Sequence, residues 1–210
     1  IGVRPLNHAK EAPTTGAWQF TNAIDSWSWQ GYEGEKAVVE VYANSASVRL
    51  LLNGKEIANK PVKKYKTLFK LPYQPGTLTA EALDERGNVI SSHSLTTAGE
   101  ETVLRVTPDK MVLCANNQAL CYLPIEFTDK AGNLKPYMEQ LVEVAVAGAA
   151  TLAGFGSALC KTNEVFDKPY HHSYRGRCLA VLRAGSTPGK AKVTVTSAGM
   201  EPVTIEVEVQ

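Results

Sequence analysis

The segment VTIEVEV at 203–209 sets Val203, Ile205, Val207 and Val209 on one side of an extended chain and Thr204, Glu206 and Glu208 on the other. Side chains alternate across a strand with period two, so this run predicts a strand with one dry face and one wet face. Nearly the whole chain is written this way, in short alternating or wholly apolar runs broken by turn residues, with almost no sustained helical periodicity. In the first half the candidate strands are AWQFTNAI (17–24), AVVEVYA (37–43), SVRLLL (47–52), YKTLFKL (65–71), LTAEALD (78–84) and VISSHSL (89–95). The second half offers TVLRVTP (102–108), LCYLPIEFTD (120–129), LVEVAVAG (141–148), TLAGFG (151–156), CLAVLRA (178–184), KVTVTSAG (192–199) and VTIEVEV. Asn53-Gly54 is the strongest turn signal, because both residues accept the positive φ of a tight hairpin. About seven short strands per ~100 residues argue for an all-β protein of two consecutive immunoglobulin-like β-sandwich domains.

A chain of 210 residues is long enough for two such domains. The expected boundaries are a connecting segment over 1–14, a first sandwich over 15–99 and a second over 100–210, with the small, polar TTAGEET (96–102) as the hinge. The 22 Lys+Arg against 21 Asp+Glu leave no net field, which argues against nucleic acid as a partner. The basic runs VKKYK (62–66) and YRGR (174–177) are short and read as solvated turns. No apolar run approaches the ~20 residues of a membrane-spanning helix. The sequence opens at Ile1 without a methionine or a leader pattern, as a fragment or processed product would.

Cys114, Cys121, Cys160 and Cys178 all lie in the second half and allow three pairings. Cys121 alternates with Leu123, Ile125 and Phe127, which makes it a buried free thiol; Cys160 with Cys178 is the pairing to test first if the parent is exported. No C-x-x-C is present, and adjacent His171 and His172 would point to opposite sides of a strand, so neither a metal site nor any cofactor is expected.

Catalytic signatures are missing too. GFGSA (154–158) lacks the spacing of a nucleophile elbow, and Glu33, Glu35, Asp84 and Glu85 sit in turn-like contexts that single out no acid pair. Two stretches remain as binding candidates. In DSWSWQGYEG (25–34), Trp27 and Trp29 share an i, i+2 spacing that suits a ligand-stacking platform and a buried core alike, with Tyr32 and Glu33 just beyond. In PYHHSYRGRC (169–178), Tyr170, His172, Tyr174 and Arg175 could take an anion or a sugar, or could lie down as an amphipathic loop with wet tips. That loop belongs to the long interval 156–177, and loops of this length are usually functional or packed on a neighbour.

The ordered pieces SWSWQGYEG, the Tyr-x-Asn of 42–44, the LNGK hairpin ending at Lys55, YQPG (73–76) and TAG (97–99) resemble the first accessory domain behind the catalytic barrel of family 2 glycoside hydrolases of the β-galactosidase type. IEFTDKAGN (125–133), LAGFGSA (152–158), NEVF (163–166) and YRGRCLAVLRAG (174–185) resemble the next domain of the same enzymes, so the likeness covers about 15–210. It implies a non-catalytic scaffold, spacer or docking segment of a β-galactoside-cleaving parent, periplasmic or extracellular, with the parent's own barrel as partner. The barrel that carries the family's catalytic glutamates is not in this sequence, so no catalytic residue is assigned. The resemblance further implies that Trp27 or Trp29 lies near the barrel face or borders the sugar pocket. A free-standing module that binds polysaccharide and an adhesive surface tandem are the competing readings of the same fold.

Overall fold

A computed structural model describes residues 1–8 and 21–210, which divide into two units, Ile1–Ala98 and Gly99–Gln210. Each is an immunoglobulin-like sandwich of two sheets.

The first unit contains β1 (Gly2–Val3), β2 (Lys36–Tyr42), β3 (Ser47–Leu52), β4 (Lys55–Pro61), β5 (Lys66–Pro72), β6 (Thr77–Leu83) and β7 (Val89–Thr96). A three-stranded sheet of order β1-β2-β5 packs on a four-stranded sheet of order β4-β3-β6-β7. The inward residues follow the alternation of the sequence: Val39 and Val41 from β2, Val48, Leu50 and Leu52 from β3, Phe69 and Leu71 from β5, Leu78 and Ala80 from β6. Asn53 (φ 52°) and Gly54 (φ 77°) form the two-residue turn between Leu52 and Lys55, as their chemistry requires. The Asn53 side chain then serves a second turn, accepting from the Thr77 N–H (2.8 Å) and donating to the Pro75 carbonyl (3.3 Å).

Two features depart from expectation. Of the connecting segment expected over 1–14, residues 9–14 lie outside the described residues, and the described ones join the first sandwich: β1 pairs with β2, and Val3 and Leu6 are core residues. Of the strand expected over 17–24, residues 17–20 lie outside the described residues, and 21–24 contribute only a bridge from Ile24 to Val3. The four-stranded sheet is also wider than its cover, so β4 and β7 overhang with most residues exposed on both faces.

The second unit contains β8 (Val103–Val106), β9 (Val112–Leu113), β10 (Leu120–Thr128), β11 (Leu141–Gly148), β12 (Ala150–Gly156), β13 (Tyr170–His172), β14 (Arg177–Ala184), β15 (Gly189–Ser197) and β16 (Val203–Val209). Sheets of order β12-β14-β10-β8 and β13-β11-β15-β16-β9 enclose a core of Cys121, Leu123, Ile125 and Phe127 from β10, Ala180 and Leu182 from β14, Val193 and Val195 from β15, and Val207 and Val209 from β16. Only β9 on β16 is parallel.

The segment expected as a hinge is tied down in both units. Thr97 Oγ1 donates to the Trp27 carbonyl (2.7 Å) and the Ala98 N–H to Ser28 Oγ (2.9 Å) within the first. Within the second, Gly99 N–H donates to Asp129 Oδ2 (2.8 Å), and the fully buried Lys135 ammonium donates to the Glu100 carbonyl (2.7 Å) and Thr102 Oγ1 (2.9 Å).

Candidate functional site

The tryptophan-rich stretch is interior. Residues 26–29 run buried without a wet face, Trp27 at 0% and Trp29 at 1% exposure, because the segment is not a strand and is covered on both sides. Of the two readings of the indole pair, the buried core is the one the structure has. Trp27 stands edge-on to Tyr73, with centroids 4.9 Å apart at 70°, and its Nε1–H donates to the Gln74 carbonyl (2.9 Å). Tyr73 Oη accepts the Trp29 N–H (3.0 Å). These bonds satisfy polar groups that burial would otherwise leave costly.

What the indoles anchor is a turn over 30–35. Gly31 (φ 87°) and Gly34 (φ 86°) bend it, Tyr32 N–H donates to the Trp29 carbonyl (3.1 Å), and Gly34 N–H to the Tyr73 carbonyl (2.8 Å). Tyr32 is half-buried against the first core and Glu33 is exposed, accepting from the Gly31 N–H (3.3 Å). Of the four residues singled out here, two are core and two are presented at the surface.

The first unit also holds a charged cluster that no sequence pattern announced. Glu40, its side chain fully buried, accepts from Arg4 Nε (2.7 Å), Lys66 Nζ (2.7 Å) and Tyr42 Oη (2.6 Å). Burial alone would push its carboxyl up, but bonds from Lys66, Tyr42, Arg4 and Thr21 hold it down at about 2.

In the second unit, β13 alternates as a strand must. Tyr170 and His172 face outward, and His171 between them is fully buried. Tyr174 and Arg175 belong to the next turn, where Arg175 (φ 53°) and Gly176 (φ 74°) reverse the chain and the guanidinium lies 5.0 Å over the Tyr174 ring. Tyr170 and His172 thus share one face, while Tyr174 and Arg175 pair with each other.

The interval before β13 packs through residues not among those four. Glu164 accepts from the His172 ring (2.7 Å) and backbone N–H (3.2 Å) and lies 3.4 Å from His171 Nδ1. Burial would raise the Glu164 carboxyl, but the bonds from His172 hold it below its ordinary value. Phe166 stacks on His171 (5.6 Å, 14°), and Phe155 meets the same imidazole edge-on (6.2 Å, 70°). Beside Phe166 runs an open cleft of about 670 Å³ lined by Ala153, Gly154, Val165, Phe166, Asp167 and Lys168. The signal for this arrangement in the sequence was the piece NEVF, which the aromatic loop downstream overshadowed.

All four cysteines are free thiols, so the Cys160–Cys178 pairing is not formed: Cys160 is exposed and Cys178 is buried in β14. Burial, with the Glu164 charge, pushes the Cys178 thiol up to about 12. Among the described residues, no three His, Cys, Asp or Glu side chains are placed to hold a metal ion, and no helix is long and apolar enough to cross a membrane.

Residues 104–206 match the glycoside hydrolase family 2 C-terminal domain 5, and residues 34–91 match a domain family of unknown function (DUF4982). The chain belongs to the C-terminal accessory domains of glycoside hydrolase family 2. It is 30% identical over 195 residues to the β-galactosidase BoGH2A of Bacteroides ovatus, a match covering 91% of this chain and 23% of that protein. The chain thus spans about a quarter of the length of this curated relative. All of it superposes on part of a family 2 glycosyl hydrolase from Bacteroides cellulosilyticus (TM-score 0.88, 27% identity, 28% of that chain). The fold is shared with a β-glycosidase from Bacteroides vulgatus (TM-score 0.81, 23% identity, 89% of this chain and 24% of that one).

Proposed function

We propose that these two family 2 accessory sandwiches support the catalytic barrel of an enzyme that hydrolyses β-galactosides, and that the turn over 30–35 is the surface that bears on the barrel. The reading rests on one observation above others: the match to a β-galactosidase runs through 91% of this chain while occupying 23% of the relative. Within the first unit the physical support is the buried pair Trp27 and Trp29, which fixes a turn whose Tyr32 and Glu33 reach the surface. A rigid anchor beneath a short exposed turn is what a docking surface needs, since ordering a loose one would cost binding energy.

The test is made in the full-length parent. Nitrophenyl β-galactoside should be cleaved in preference to the β-glucuronide. The variant Glu33→Arg, at the exposed acid of the turn, should lower the melting temperature of the catalytic domain by several degrees while the first sandwich keeps its own. Absence of β-galactoside cleavage removes the substrate; an unmoved catalytic-domain transition removes the docking turn.

A further inference from the structure

The interval between β12 and β13 holds one aromatic ring partly exposed, and three contacts fix its attitude. One face of Phe166 lies against the imidazole of His171, nearly parallel at 14°, and that imidazole is itself fully buried. One ring edge rests on Gly156 so closely that a Cβ there would collide with Cδ1 and Cε1. The Phe166 carbonyl accepts the Phe155 N–H at 2.9 Å, and two residues earlier Glu164 is pinned to His172. The ring can sink no further, and Phe166 remains 54% exposed. Among the described residues, His171 is the one aromatic ring stacked on Phe166.

The surroundings say what fits there. Asp167 and Lys168 follow Phe166 in the chain and line the same opening, their charged atoms 3.6 Å apart and about half or more of each side chain in water, so an acceptor and a donor share the opening with the ring. β12 is the edge strand of its sheet and is bulged between Leu152 and Gly154, which interrupts its ladder where Ala153 and Gly154 line the cleft. A purely apolar partner would strip water from both charges without replacing it. An anion would meet the Asp167 carboxylate. A pyranose ring meets all three conditions: its C–H face lies on an aromatic face, and its hydroxyls both donate and accept. We propose that this cleft binds a neutral β-linked glycan, with one pyranose unit stacked on Phe166 and its hydroxyls exchanging hydrogen bonds with Asp167 and Lys168. The proposal rests on the glycan-degrading reading of the parent for its ligand class and on Phe166 for its geometry.

The 210-residue chain is run in native gels containing galactan, xyloglucan, β-mannan or xylan. Retardation in at least one is expected, weakened tenfold or more in Phe166→Ala, kept in Phe166→Tyr, and reduced in Asp167→Ala. Tyr122→Ala, at an exposed tyrosine on β10, should bind as the parent chain does, and circular dichroism should show every variant folded. No retardation in any of the four, or retardation that survives in folded Phe166→Ala, overturns the site. If the full-length parent cleaves β-galactosides while the chain ignores all four glycans, the accessory reading stands and this site falls; binding through Phe166 without any glycosidase activity has the opposite meaning.

Discussion

Glu40→Gln removes the charge at the centre of the Arg4–Glu40–Lys66 cluster while keeping the shape of the side chain. The folded carboxyl sits at about 2, against an ordinary 4.5, and such a drop corresponds to about 3 kcal/mol of folding stability. Arg4 and Lys66 are about one-third exposed, at 35% and 30%, so water and salt screen the pair and the share that survives is about 2 kcal/mol. A carboxyl held below its unfolded value stabilises fully above pH ~4.5 and loses that contribution as the pH falls toward 2. Glu40→Gln should therefore be weaker than the parent chain by about 2 kcal/mol at pH 7, with the gap closing by pH 2.5. Urea unfolding read by tryptophan fluorescence isolates the right unit, because Trp18, Trp27 and Trp29 are the chain's three tryptophans and all fall within Ile1–Ala98. Equal stabilities at pH 7, or a gap that persists unchanged at pH 2.5, would refute the reasoning.

Three further outcomes are expected. Gly176 and Gly199 share φ 74°, but a Cβ at Gly199 meets open space while one at Gly176 meets the Lys135 carbonyl; by calorimetry, Gly199→Ala should cost about 1 kcal/mol and Gly176→Ala about 1–3 kcal/mol more. Trp27→Ala should cost the first unit about 3–5 kcal/mol, and Trp27→Phe, which loses mainly the bond to the Gln74 carbonyl, about 1–2, both by thermal unfolding followed by circular dichroism. A thiol reagent at pH 8 should label Cys114 and Cys160 quickly and reach Cys121 and Cys178 only after denaturation, since burial raises both inner thiols; fast labelling of all four would contradict the packing.

Alternation carried the strands that separate a core from water. VTIEVEV and SVRLLL were legible because each has one apolar side, and Asn53-Gly54 because its φ values leave few alternatives. KEIANKP over 55–61 carried no such pattern: it is β4, exposed on both faces, and pairing with β3 rather than burial makes it a strand. The tryptophan spacing was ambiguous for a related reason, because i, i+2 aromatics look alike whether the opposite side is solvent or more protein, and only the tertiary bonds of Ser28 and Tyr73 decide it. Glu40 reads as an outward strand position from sequence, and its partners come from β5 and from Arg4, 36 residues away. Phe166 lies in the NEVF piece within the long interval 156–177, but its contacts could not be read there, because the imidazole comes from β13 and the glycine from the end of β12.

The overhang of the first unit's wider sheet has a practical meaning for anyone handling this chain. Its two margins are not alike: β4 carries Lys55, Glu56, Lys60 and Pro61, while Val89–Thr96 of β7 has no acidic or basic side chain except His93 and no proline, and leaves Val89 and Ile90 about half exposed. Charge and proline are what keep an open strand from recruiting another, so self-association at high concentration will begin at β7. A lysine substituted on that margin is the first remedy to try against precipitation.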